Sequence, residues 1–213
     1  MKTTIFKLEN PEYADVGENS KLFGVYGISF DLPTLSAYAI CHTNIDLPSF
    51  SADNEGSGLP PYRIEGNRVV LEPTRSPVFG KLEGSLFVYH TGIRNYELLF
   101  PHVTDDGLRK RLGQFAEEAD KAFESGSWMS YTMMVGAALE GVLYSLFGNL
   151  KFERLIAKAA EDGVIIDQER DLLNKVREQR NLIHASRYAK SFVDRETAMD
   201  LSVVYDRLLK RRY

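Results

Sequence analysis

The residues with the clearest chemical potential lie in one segment, Val176-Arg177-Glu178-Gln179-Arg180-Asn181-Leu182-Ile183-His184. An α-helix turns about 100° per residue, so Arg177 and His184, seven positions apart, would fall within roughly 20° of each other on a continuous helix. Arg180 and Asn181 lie between them near the same face, and Leu172, Leu173, Val176 and Ile183 form an adjacent apolar face. This grouping suits RNA cleavage without a metal. An imidazole near its ordinary pKa can take the proton of an attacking 2′-hydroxyl or supply one to a leaving oxygen at neutral pH. A guanidinium is permanently charged and planar, and it stabilises a crowded phosphoryl group with paired hydrogen bonds. Arg177 and Arg180 would bind the phosphate, His184 would act as general acid/base, and Asn181 would position the phosphate or orient the imidazole. One histidine per chain is too few for both proton transfers, so a homodimer is expected to supply the second. The same residues admit a structural reading, with His184 favoured by the helix dipole and the arginines as solvated charges.

Glu140 is the other notable ionisable group. It sits within the apolar run Met129 to Phe147. A carboxylate buried there needs a partner, and Arg177 or Arg180 is the economical one. Loss of a buried partner would cost about 3–5 kcal/mol. The alternative is a carboxylate that reaches the surface.

Other chemistries have less support. His42, His90, His102 and His184 are scattered, without the close pairing typical of zinc sites, and no motif calls for a cofactor. The single cysteine, Cys41, excludes an intramolecular disulfide or a zinc ribbon and fits a reducing cytoplasm. Gly24 and Gly27 fall inside a strand pattern rather than a phosphate loop. The N-terminus lacks the apolar stretch of a secretory signal, and no membrane span is expected.

The formal net charge is −4. Residues 1–104 carry 8 basic and 12 acidic side chains, whereas residues 105–213 carry 18 of each. Residues 170–190 hold six basic side chains (Arg170, Lys175, Arg177, Arg180, Arg187, Lys190) against Asp171 and Glu178. This local excess marks either a polyanion contact or a solvated helix face.

The elements that must position these groups follow from apolar period. Up to about residue 103, short apolar runs are broken by Gly, Pro, Asn and Asp. Ile5–Leu8, Leu22–Phe30, Ala37–His42, Tyr62–Ile64, Arg68–Leu71, Leu82–His90 and Tyr96–Phe100 are expected as strands. A hairpin turn is expected at Glu65-Gly66-Asn67, since Gly and Asn tolerate positive φ, and a loop at Ser49–Pro61. After Thr104 the period becomes helical. Helices are expected over Asp106–Glu124, Trp128–Phe147, Phe152–Asp162, Asp167 through at least His184, and Arg195–Arg211. Ser127, Asp167 and Asp194 are the expected N-caps, and Gly148 and Gly163 the expected stops. The second helix is apolar nearly all round, so it should be the central one. The fold class is thus α+β, a β-rich module over 1–104 followed by a helical bundle over 105–213.

The helical half resembles the HEPN superfamily. Arg177-x6-His184 matches the Arg-x4–6-His motif of those domains, and Arg180-Asn181 supplies the Arg-Asn pair often found within it. The likeness extends to Ala119-Asp120-Lys121-Ala122-Phe123 followed by Gly126, to Ala137-Ala138-Leu139-Glu140, and to Gly163 before an acidic helix start. It covers about half the chain, 105–213. Ala185 stands where a proline commonly follows the histidine, and there are no cysteine pairs for the N-terminal zinc ribbon many such proteins carry. Active members of the family are metal-independent endoribonucleases, usually dimeric and often toxins or phage-defence effectors. Others are inactive RNA-binding or scaffolding modules. The resemblance therefore implies RNA as partner and an endoribonuclease, or a non-catalytic dimerisation or binding module in a defence or toxin–antitoxin assembly. In either case the β-rich module would be free to meet a protein partner.

Overall fold

The structure, a computed structural model, describes residues 1–15, 25–51, 59–75, 82–187, 189, 193–211 and 213. The chain forms two compact units, Met1–Arg94 and Asn95–Tyr213. The fold is α+β, with antiparallel sheets in the N-terminal unit and α-helices in the second.

The first unit contains seven described strands: β1 (Lys2–Leu8), β2 (Glu12–Asp15), β3 (Val25–Asp31), β4 (Tyr38–Asp46), β5 (Tyr62–Glu65), β6 (Arg68–Arg75) and β7 (Gly84–Ile93). They form a three-stranded sheet, β1-β7-β4, and a four-stranded sheet, β2-β3-β6-β5, antiparallel throughout. Alternation sets the core. Phe6 and Leu8 of β1, Leu86 and Val88 of β7, Ile28 and Phe30 of β3, and Val69 and Leu71 of β6 are all buried, two residues apart on each strand. Gly66 adopts a φ of 61° at the β5–β6 turn, while Asn67 does not enter the left-handed region. Asn67 instead accepts from Leu32 N–H through its carbonyl and from Ser36 N–H through its side chain.

Several boundaries differ from expectation. β2 has no apolar run, and Glu12, Tyr13 and Ala14 are exposed; its pairing with β3 makes it a strand. β4 and β6 run past the expected ends because their neighbours continue to pair with them. The first residues of the loop expected at Ser49–Pro61 belong instead to a helical turn, Pro48–Ser51. Residues 22–24 of one expected strand and 52–58 of the expected loop lie outside the described residues. Tyr96–Leu99, expected as a strand, is a 3-10 turn in which the Asn95 side chain accepts from Glu97 N–H at 2.9 Å. That turn belongs with the helices. Tyr96 donates to Asp120 at 2.9 Å, and Gly113 lies so close to Glu97 that an added Cβ would sit 3.1 Å from its backbone nitrogen. The unit boundary therefore falls at residue 94/95, ten residues before the change in apolar period.

The second unit contains α1 (Asp106–Glu124), α2 (Trp128–Phe147), α3 (Phe152–Glu161), α4 (Asp167–Arg180) and α5 (Arg195–Leu209). Asp105 and Asp194 cap α1 and α5, accepting from Leu108 N–H at 2.7 Å and Thr197 N–H at 2.9 Å. Ser127 occupies the α2 cap position without a side-chain capping bond. Asp167 is the first residue of α4 rather than its cap. Ile166 holds the cap position and donates its N–H to Glu169 Oε2 at 2.9 Å. Gly148 and Gly163 end α2 and α3 with φ of 80° and 70°. Helix α2 is central, with Tyr131, Val135, Ala138, Leu139, Val142 and Leu143 all buried. Its neighbours approach closely where it lacks side chains. A Cβ at Gly141 would stand 2.3 Å from Leu112 Cδ2 of α1, and one at Gly136 would stand 2.8 Å from Val176 Cγ1 of α4. Among the described residues, no single helix is long and apolar enough to cross a membrane; α2 and α3 pass that test only as a pair bent by 61°.

Two predictions follow from this packing. Gly141→Ala should destabilise the chain despite the better helix propensity of alanine. Overpacking costs about 1–3 kcal/mol against a propensity gain of about 1 kcal/mol, and Leu112 is buried and has little room to turn away. Urea denaturation with an unchanged or raised midpoint would show that α1 shifts freely. The second concerns His102, whose ring packs against Tyr213 at 4.4 Å between centroids. Burial pushes its imidazole pKa down to about 4. Between the ordinary value of about 6.5 and 4, the unfolded chain binds the extra proton, so stability should fall as pH drops through that window. His102→Phe should flatten the fall, as followed by melting temperature against pH.

Candidate functional site

The groups singled out by sequence divide between the last turn of α4 and the backbone beyond it. The helix stops at Arg180 instead of continuing through His184. Asn181–Ile183 form a 3-10 turn, and His184 follows with extended backbone, φ −75° and ψ 128°. A second 3-10 turn spans Ala185–Arg187. The continuous-helix phase that placed His184 near Arg177 therefore does not apply. What the backbone provides instead is an exposed imidazole one residue beyond a tight turn, with Asn181 exposed at the start of that turn. The His184 carbonyl accepts from Arg187 N–H at 2.8 Å, and its own N–H donates to the Asn181 carbonyl at 3.2 Å.

Arg180 reaches across to α2. Its Nη1 donates to Glu140 Oε2 at 2.5 Å. Its guanidinium carbon also lies 5.7 Å from the centre of the Phe152 ring, within the range of a cation–π contact. Gly136, one turn before Glu140, leaves room for this side chain, since a Cβ there would come within 3.2 Å of Arg180 Cδ. The partner of Glu140 is thus Arg180 and not Arg177. The pair is less buried than expected, with the two side chains 32% and 33% exposed.

Arg177 is bound differently. Its Nη1 lies 3.0 Å from Glu153 Oε2 on the first turn of α3, a residue that sequence reasoning passed over. Nothing in the spacing of Glu153 could have marked it, because α3 and α4 meet only through the tertiary packing. The Arg177 side chain is 33% exposed and that of Glu153 68%. Arg177 Nε is buried without a hydrogen-bond partner among the described residues.

The opposite end of α4 carries a more deeply buried carboxylate, which the sequence did not mark. Glu169 is 1% exposed and faces Arg207 at 3.1 Å and Arg211 at 3.6 Å, both from the C-terminal end of the chain. With the Ile166 N–H also on its carboxylate, this buried charge is satisfied from three sides.

Elsewhere, Cys41 is exposed on β4, and the adjacent His42 ring stacks on Tyr89 at 5.8 Å. Among the described residues, no three His, Cys, Asp or Glu side chains gather where a metal ion could bind.

No protein-family model, no curated protein and no solved structure matches the chain.

The Glu140–Arg180 pair sets a stability test. Glu140→Ala should cost about 1–2 kcal/mol, between the values for exposed and fully buried pairs, since a third of each side chain meets solvent. Glu140→Gln, which keeps the shape and one acceptor, should cost less. Equal melting temperatures for wild type and Glu140→Ala would mean that the pair does not hold α4 to α2.

Proposed function

We propose that this chain is a metal-independent endoribonuclease of the HEPN type, acting as a homodimer in the cytoplasm as a toxin or phage-defence effector. The observation that carries the reading is the exposed His184, with exposed Asn181, directly beyond a helix turn that presents Arg177 and Arg180. A solvent-accessible imidazole can exchange protons with a bound RNA, which a core histidine cannot.

In the reaction, His184 of one copy takes the proton of a ribose 2′-hydroxyl as its oxygen bonds to phosphorus. The P–O5′ bond breaks, and the second copy's imidazole returns a proton to the 5′-oxygen. Arg177 carries the charge on the phosphoryl oxygens, Asn181 positions the group, and Arg180 keeps the last turn of α4 on α2. The products are a 2′,3′-cyclic phosphate and a 5′-hydroxyl, and the first step needs no activated water. The N-terminal unit is left as the surface for a protein partner or trigger.

A second reading has its own support. Both arginines already hold carboxylate partners, Arg177 with Glu153 and Arg180 with Glu140, which is the arrangement of structural ion pairs. On that reading the helical unit is a non-catalytic dimerisation or binding module in a defence or toxin–antitoxin assembly.

The two separate in one assay. Labelled single-stranded RNA should be cut by the full-length protein in EDTA, with a 2′,3′-cyclic phosphate end, while DNA of the same sequence stays intact. His184→Ala should lower the rate by about 10²-fold or more, and Arg177→Lys should also be impaired, because an ammonium cannot make the planar two-point contact. Cleavage that persists in both variants, or that stops with EDTA, would move the chemistry away from this site. No cleavage of any RNA by wild type would favour the binding module.

A further inference from the structure

The two arginines of α4 are restrained to different degrees, and the difference assigns them different work. Arg180 is held by a 2.5 Å hydrogen bond to Glu140, by the Phe152 ring, and by the gap left at Gly136. Moving it would undo the seam between α2 and α4. Among the described residues Arg177 has one charged contact, to a single oxygen of Glu153, on a side chain that is 68% exposed. Ion pairs this open contribute little to stability and exchange readily for another anion. Among those residues Arg177 Nε also has no hydrogen-bond partner. An RNA phosphodiester has two non-bridging oxygens and can engage a guanidinium at two points, which the single Glu153 contact does not do.

We propose that Glu153 is the resident counter-ion of Arg177, occupying in the free protein the anion position that an RNA phosphate takes over on binding. Glu153 then weakens RNA binding by competition and keeps the guanidinium oriented and charge-balanced until RNA arrives. The inference rests on the RNA reading above and adds to it a residue that controls access to the site. It also separates the arginines: Arg177 is the exchangeable phosphate ligand, and Arg180 is the positioning residue.

The test measures binding apart from cleavage. The probe is a fluorescent oligouridylate of about 16 nucleotides, methylated at every 2′-oxygen so that it cannot be cut, with fluorescence anisotropy as readout. Glu153→Gln in the full-length chain should bind about two- to fivefold more tightly than wild type, the range expected when one exposed ion pair no longer competes. Glu161→Gln is the control. It removes the same charge from the exposed surface of the same helix, away from Arg177, and should change affinity less. In the double variant Glu153→Gln/Arg177→Gln the gain should vanish, leaving the affinity of Arg177→Gln alone. Unchanged melting temperature in Glu153→Gln would exclude a folding effect. Equal effects of Glu153→Gln and Glu161→Gln, or a gain that survives without Arg177, would overturn the counter-ion role while leaving RNA binding intact. Absence of binding by wild type and every variant would overturn the RNA reading and this inference with it.

Discussion

The helical unit depends on how closely its other helices approach α2. Two glycines set those distances. At Gly141 the Leu112 side chain of α1 occupies the space a Cβ would need, and at Gly136 Val176 and Arg180 of α4 do the same. Dispersion and hydrophobic burial reward such contact only when the surfaces meet without gaps. Once α4 lies this close, Glu140, one residue before Gly141 and one turn after Gly136, is within reach of Arg180. The ion pair is a consequence of the glycine contact, since no carboxylate at that position could draw in a helix held farther away.

Helix α4 is fastened at both ends by charge and in the middle by apolar packing. Leu173 and Val176 are fully buried along it. At its start, Glu169 is enclosed by two arginines from the C-terminal end and by a backbone N–H. At its end, Arg180 joins α2. Between these anchors Arg177 has an open contact with Glu153, and beyond them the backbone leaves the helix and carries His184 into solvent. The groups assigned to chemistry, Arg177 and His184, are thus more open than Glu169 and Arg180, which fasten the two ends of α4.

The N-terminal unit obeys a different constraint. Its core is built from alternate residues on strands that pair far apart in sequence, such as β1 with β7, where Ile5 faces Phe87 and Phe6 faces Leu86. The alternation tells which face of each strand is buried, but not which strands are neighbours. The short strand β2 illustrates the limit, because it exists through its ladder with β3 and carries no apolar signature of its own.

By itself the sequence determined what is local. Helices α1 and α2 begin and end where their apolar period does, Asp194 caps α5 through its own Thr197, and Gly148 and Gly163 stop their helices because a left-handed backbone is cheap for glycine. It also marked the Arg177 to His184 segment, and it narrowed the partner of Glu140 to two arginines. Tertiary structure decided what depends on distance. It chose Arg180 over Arg177, gave Arg177 the unforeseen partner Glu153, and enclosed Glu169 between Arg207 and Arg211, both from the C-terminal end of the chain. It also ended α4 at Arg180, so the helical phase that linked Arg177 to His184 in sequence does not hold in space. The physical reason is common to these cases. Backbone preference acts over a few residues and is written in the local sequence, whereas an ion pair forms between whichever charges the packing of the core brings within about 4 Å.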